Sequence, residues 1–405
     1  MKTHYKMGLL VSLYLSQGLP YGFFTQALPA LLRHHKVSLA VIGLTSLLAV
    51  TWACKFLWAP LVDLVGSNRF GYRKSWIVPL QIAAAVLLLC TSWLDPSQAL
   101  LLIVGIALLS NVLAATQDVA TDALAIDLLT PAERGAGNGM QIAGYRVGMI
   151  IGGGVLLIVF DRFGWANTFL GLGMILLVGV MPISLYREPR RCVPQHRTTL
   201  TRSCTHMVWD AFQQPSMGPW LIVLLTYKAG DALGSAMLRP FLIDRGLQLA
   251  DIGWMLGTVG FSAGLLGAVV GGGLINRLGR TTSLVVFGLT HTLSMLLYAV
   301  PAAGMGTEAL LYGACAAEHF AGSLASVALY TQMMDRSRVD TAATDYTVQS
   351  STLAIAIGVV GATSGVLAEV VGYTMLFVLA AVLGCAGVLV CLVSSKSQLL
   401  AAHVR

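Results

Sequence analysis

Charge is scarce in this chain. Aspartate, glutamate, lysine and arginine together supply 11% of the 405 residues, while 56% are apolar. That is too little charge to clothe a water-soluble domain. The cysteines, Cys54, Cys90, Cys192, Cys204, Cys315, Cys385 and Cys391, are odd in number and lie mostly inside apolar stretches, which argues against a disulfide framework. No G-x-x-x-x-G-K-[ST] occurs, so ATP is not the expected energy source. No nucleophile, base and orienting residue recur in a recognisable order, so neither an enzyme nor a cofactor is expected. A signal-peptide cleavage site is missing after the first apolar segment, which is itself too long for one, so the first helix is expected to stay. Cys192, His196, Cys204 and His206 share one polar segment, but their spacing fits no zinc finger and no metal site is expected.

What the chain has instead is long apolar stretches. Twelve of them approach the roughly 20 residues that span a bilayer: about 7–32, 39–63, 74–94, 99–127, 134–160, 165–186, 216–243, 250–275, 281–301, 306–335, 341–368 and 372–396. The expectation is an all-α membrane protein of twelve transmembrane helices, with bundles at 1–186 and 216–405 joined by a polar linker at 187–215. The 43 glycines suit helices that pack through small residues, and the runs Gly152–Gly154 and Gly271–Gly273 read as packing surfaces.

Lysine and arginine set the orientation. If the N-terminus is cytoplasmic, seventeen of the 25 fall on that side, Arg33, Lys36, Arg162 and Arg245 fall outside, and Lys55, Arg146, Lys228 and Arg239 remain in the membrane. Both termini are then cytoplasmic. The same asymmetry accounts for the net charge of +7 without any nucleic-acid partner. A weak internal repeat runs through the chain. At an offset of 211, Gln17 meets Lys228, Pro20 meets Asp231 and Pro29 meets Pro240, and after one residue of slippage Ala40, Ile42 and Gly43 meet Ala250, Ile252 and Gly253. At 208, Asp127 meets Asp335 and Gln141 meets Gln349.

The stretch Thr116–Arg146 concentrates charge within this apolar background. Asp118 and Asp122 are one helical turn apart and share a face. Pro131 marks a turn thirteen residues after Asp118 and fifteen before Arg146, so a helical hairpin would bring these two charges to similar depth, with Lys55 supporting the network. Charges inside a bilayer are costly and call for named partners. A purely structural network that fixes helix packing remains the alternative. In the second half, Lys228 and Asp231 are three residues apart, and Glu318 stands beside His319 with no other obvious cation. A carboxyl desolvated there would exchange protons near neutral pH.

The run from Gly272 to Thr281, G-G-L-I-N-R-L-G-R-T, resembles the major facilitator signature G-x-L-x-D-R-x-G-R-[RK], with Asn276 in the acidic position and Arg277 and Arg280 in the basic ones. The first-half counterpart runs from Trp58 to Asp63 and resumes at Gly71–Lys74. Asp63 at a helix C-terminus needs nearby cations, for which Arg73, Lys74 and Arg134 are candidates. Read with Lys55-Phe-Leu-Trp-Ala-Pro-Leu-Val-Asp63, Gln117–Asp122, Glu133-Arg-Gly and Gly144-Tyr-Arg146, the chain is similar to the AmpG-type branch of that superfamily, which includes muropeptide permeases, acetyl-CoA transporters and RhtX/FptX siderophore importers. The absence of a thirteenth apolar segment and the opening Leu15-Ser-Gln-Gly-Leu-Pro-Tyr21 resemble the RhtX/FptX group most.

The resemblance implies the major facilitator fold, two six-helix pseudo-repeats, in which helices 1, 4, 7 and 10 line a cavity. Gln17, Tyr21, Asp118, Asp122, Arg146, Lys228, Asp231, Glu318 and His319 would then form the pathway for substrate and protons. Phe24, Tyr145 and Tyr227 would offer further rings for stacking. It also implies a cytoplasmic gate of Asp63, Arg73, Lys74, Asp127, Arg134, Asn276, Arg277, Arg280 and Asp340, in which Asp63 meets the N-terminus of helix 11 and Asp340 caps that helix. The expected function is a monomeric, proton-driven importer of a siderophore or its ferric complex in a bacterial inner membrane. A muropeptide permease is the first alternative, and a membrane sensor that has lost transport is the second.

Overall fold

Glycines spaced by four dictate how the first helix packs. The computed structural model describes residues 2–24, 47–95, 98–190 and 200–403. Residues 25–32 and 39–46 of the first two apolar stretches, Arg33 and Lys36, the repeat matches at Pro29, Ala40, Ile42 and Gly43, and Cys192 and His196 lie outside them. The described residues fall into two compact units, one drawn from 1–130, 143–209 and 337–348, the other from 131–142, 210–336 and 349–405.

The first unit holds α1 (Thr3–Gly22), α2 (Leu47–Cys54), a 3₁₀ turn (Lys55–Leu57), α3 (Ala59–Leu64), α4 (Lys74–Thr91), α5 (Leu100–Leu128), α7 (Leu156–Leu185) and, at its end, most of α8 (Leu200–Phe212). α6 (Arg134–Met149) runs from the second unit into the first and continues through a π-wound turn (Ile150–Val155) into α7. On this run Gly144, Gly148 and Gly152 sit directly against the backbone of Val11, Leu15 and Leu19 of α1. Gly18 and Gly22 answer from α1 against Tyr145 and Met149, so no side chain separates the two backbones. Small-residue contact of this kind replaces the hydrophobic drive that lipid cannot supply. Beside it, Leu19, Phe23, Leu88, Phe169, Leu172 and Leu176 form a buried apolar cluster.

The second unit contains α9 (Met217–Tyr227), α10 (Ala229–Asp244), α11 (Leu249–Ile252), a π-wound segment (Gly253–Gly260), α12 (Phe261–Leu278), α13 (Arg280–Ala302) and α14 (Glu308–Asp335). α15 (Ala342–His403) begins in the first unit and continues in the second. Its core gathers Leu238, Phe241, Met255, Met295, Tyr298 and Phe377. α12 meets α14 through Gly267 against Phe320 and Gly271 against Leu324.

Each of the twelve apolar stretches carries helix in its described residues. Seven helical segments among them are long and apolar enough to cross a membrane. Two are double length, 134–185 and 342–394, because the expected breaks there are kinks at Gly164 (φ 75°) and Gly372 (φ 75°), a left-handed conformation that only glycine adopts freely. These two kinks are 208 residues apart, the offset of the internal repeat, and the left-handed Gly71 and Gly279 share it. The fold is all-α, with one isolated β-bridge among the described residues, between Ser67 and Gly71. Large apolar side chains such as Val178, Met181, Val366 and Val370 are exposed, an arrangement suited to lipid rather than water. The polar segment expected as linker contains a helix, α8.

Candidate functional site

The two lysines expected inside the membrane sit where their helices break. Lys55 opens the 3₁₀ turn after α2, and Lys228 separates α9 from α10. Each meets a carboxylate.

In the first unit, Lys55 donates to Asp118 on α5 through a short contact, with both side chains almost fully buried. The ammonium also lies 5.1 Å from the centroid of the Trp52 ring, whose Nε1 donates to Asn111 Oδ1 at 3.1 Å. Hairpin depth pointed to Arg146 as the partner of Asp118; the pair the structure makes is with Lys55, brought there by the turn that interrupts α2. Arg146 is half-buried on α6. One turn along α5, Asp122 accepts from the Tyr14 hydroxyl at 2.6 Å. Gln117 Nε2 donates to Gln81 Oε1 at 2.9 Å, and Gln81 Nε2 in turn to the Leu176 carbonyl at 3.0 Å. Gln17 is buried with neither amide atom bonded among the described residues. Tyr21 packs against Trp52 and Tyr145 with centroids 5.9 and 5.5 Å away. Phe24 instead belongs to the apolar cluster, and the buried Tyr227 donates its hydroxyl to the Leu284 carbonyl, so these two rings are occupied in packing.

The second unit gathers a denser constellation. Lys228 Nζ lies 3.3 Å from Asp231 Oδ2 and 3.3 Å from the Gly322 carbonyl. Ser235 donates to Asp231 Oδ1 at 2.9 Å. Glu318 Oε2 is 2.6 Å from His319 Nδ1, and its Oε1 is 3.5 Å from His291 Nε2, which is also 3.5 Å from Asp231 Oδ1. Besides the expected His319, Glu318 therefore has a second imidazole beside it, His291 of α13, whose long apolar sequence gave no sign of it. The residues missed by sequence, Tyr14, Trp52, Asn111 and His291, share one feature. None has a charged residue directly beside it in sequence.

The residues expected at the gate gather into two hydrogen-bonded clusters, here called latches. In the first unit, Arg73 is completely buried; its Nη2 donates to Asp63 Oδ1 at 2.8 Å, its Nη1 to the Val62 carbonyl at 2.8 Å and its Nε to Asp127 at 3.2 Å. Burial disfavours the guanidinium charge, yet the Asp63 and Asp127 carboxylates outweigh this and hold its pKa above the ordinary arginine value. The Asp63 carboxylate also accepts from the Ala343 and Thr344 amides at 3.2 and 2.8 Å and from the Thr344 hydroxyl at 2.8 Å. These are orphan donors of the first turn of α15. Asp63, and not Asp340, is thus the acceptor on these amides; Asp340 is exposed.

Of the cations proposed for Asp63, Arg73 alone is paired with it. Lys74 Nζ turns to the Ser184 and Tyr186 carbonyls at the C-terminus of α7, while Glu188 accepts from the Arg73 and Lys74 amides at the N-terminus of α4. Cation on carbonyls and anion on amides is the favourable sense at both helix ends. Arg134 Nη1 bonds Asp335 Oδ1 at 2.9 Å inside the second unit. There Arg280 Nε donates to Asp335 Oδ2 at 2.7 Å and its Nη1 to Asn276 Oδ1 at 3.2 Å, while Asn276 Nδ2 donates to the Ala132 carbonyl at 2.6 Å. The second latch thus repeats the first with a neutral amide where Asp63 stands. Arg277 is exposed. Beside the first latch, a cavity of about 1400 Å³ is lined by Lys6, Asp127, Arg187, Glu188, Arg190 and Asp340 among others.

The family profile described as Major Facilitator Superfamily matches residues 10–360. The anhydromuropeptide permease of Escherichia coli K12 is 30% identical over 396 residues, which cover 95% of this chain and 79% of that protein. Among solved structures, the human organic anion transporter MFSD10 (TETRAN) superposes with a TM-score of 0.73 at 13% identity, covering 96% of this chain and all of that one. The transporter FucP in its outward conformation gives a TM-score of 0.73 at 13% identity, over 96% and 98% of the two chains. At that identity the structural likenesses establish the fold alone.

Proposed function

The chain belongs to the major facilitator superfamily, and from that premise we propose that this multi-pass membrane transporter imports a muropeptide, a sugar bearing a short peptide, across a bacterial inner membrane. The observation that carries the reading is the likeness to the Escherichia coli anhydromuropeptide permease along nearly the whole chain. The siderophore reading rested on size and on one short opening motif, and full-length likeness outweighs both. In this reading the bundles are 1–186 and 216–405, joined by 187–215, with both termini cytoplasmic and the proton gradient as driving force. The carboxylates and amine of such a peptide suit the opposed charges that each unit holds between helices. Arg146 and Lys228 provide cations, Asp118, Asp122, Asp231 and Glu318 carboxylates, and Gln17, Tyr21 and His319 polar or aromatic contacts. The latches, with Asp63 and Arg73 in one and Asn276 and Arg280 in the other, would hold helix ends in one state of the transport cycle and release them in another.

Uptake of labelled anhydromuropeptide by spheroplasts expressing the protein tests this. Accumulation above the external concentration is expected, with collapse on addition of a protonophore. Accumulation of a ferric siderophore in place of the muropeptide would overturn the assignment.

A further inference from the structure

We propose that Asp231, His291 and Glu318 form a three-ligand binding site for a divalent transition metal of the zinc class. Sequence reading assigned no metal to this chain; with the metal bound, Asp231 and Glu318 would meet a solute through it rather than directly. The ligands come from α10, α13 and α14 of the second unit, and one donor atom from each lies within 4.8 Å of the others.

Four observations support the site. First, His291 is 4% exposed, yet its Nε2 makes no hydrogen bond among the described residues. Buried polar atoms rarely remain so. Second, that nitrogen is 3.5 Å from both Asp231 Oδ1 and Glu318 Oε1. Such a separation is long for an N–H···O bond. Ligands bound tetrahedrally at about 2.0–2.1 Å stand roughly 3.3–3.4 Å apart, so the spacing matches two edges of a zinc tetrahedron.

Third, the far oxygens of both carboxylates are already held. Lys228 lies 3.3 Å from Asp231 Oδ2, and His319 Nδ1 lies 2.6 Å from Glu318 Oε2. Ser235 adds a hydrogen bond to Asp231 Oδ1. Outer partners of this kind orient ligating carboxylates in metal sites. Fourth, a Cβ on Gly322 would come 3.0 Å from His291 Nε2 and 3.5 Å from Glu318 Oε1. The glycine keeps space open beside the ligand atoms. Three protein ligands leave a fourth corner for water or a donor atom of the substrate.

The test is titration of Zn²⁺ into the purified, chelator-stripped full-length protein by calorimetry, together with the visible spectrum of the Co²⁺ form. One site per chain is expected, with the intense bands of four-coordinate Co²⁺. His291→Gln should weaken Zn²⁺ binding at least about tenfold, the lower bound of what even outer partners cost. Gly322→Ala should weaken it while leaving every ligand in place. His206→Ala, in the polar segment, should bind as the parent does. Absence of stoichiometric Zn²⁺ binding, the pale spectrum of six-coordinate Co²⁺, or binding that follows His206 instead of His291 would overturn the proposal. If His291→Gln does not fold, Gly322→Ala and the parent Co²⁺ spectrum decide the question.

Discussion

Replacing Lys55 by methionine removes a charge while keeping a long unbranched side chain. Asp118 would then be left with a side chain only 9% exposed and without its ammonium. Breaking a buried pair from one side costs about 3–5 kcal/mol, or roughly two to four decades in the folded-to-unfolded ratio at about 1.4 kcal/mol per decade. Loss of the cation from the Trp52 face adds about 0.5–2 kcal/mol. Asp118→Leu should cost a similar amount, because it strands Lys55 instead. The double variant Lys55→Met with Asp118→Leu should recover most of the loss, since apolar replacement of a whole buried pair is often neutral. The assay is unfolding in mild detergent under increasing SDS, followed by circular dichroism. Effects of the two single changes that add to within about 0.3–0.5 kcal/mol in the double variant would refute the pairing. Uptake by the double variant then separates roles: a folded protein that still transports would make the pair structural.

Asp63→Asn should loosen the first latch, because Arg73 loses its closest carboxylate and the α15 amides lose a charged acceptor. Cysteine accessibility near Thr344 should rise and transport should slow with substrate affinity retained; an unchanged accessibility pattern would remove Asp63 from the gate. Gly148→Ala places a Cβ on the backbone of Leu15 and Leu19 and should abolish folded yield, while Gly154→Ala, with open space around it, should leave stability unchanged or raised by up to the helix propensity of about 1 kcal/mol, read as an equal or higher melting temperature. Equal tolerance of both changes would contradict the packing of α1 on α6. Glu188→Gln should cost about 0.5–2 kcal/mol through the weakened cap on α4, read as a lower melting temperature; Arg190→Gln is the control.

What the sequence by itself determined is whatever depends on one-dimensional pattern. Twelve apolar stretches set the helices because a bilayer leaves every backbone group to be satisfied within its own segment. The motif around Asp63 and its copy at Asn276 located both latches, since helix ends and left-handed glycines such as Gly71 and Gly279 are local features. Hairpin depth also brought attention to Asp118, but depth is one coordinate of three. Whether Lys55 or Arg146 sits on that carboxylate depends on rotation about the helix axis, and the 3₁₀ turn that interrupts α2 at Lys55 leaves no mark in composition. His291 shows the same limit more sharply. It stands in α13, 60 residues from Asp231 and 27 from Glu318, and no spacing rule relates them. Only the packing of α10, α13 and α14 brings the three together, because side chains on different helices become neighbours through crossing geometry and glycine contacts rather than through order along the chain.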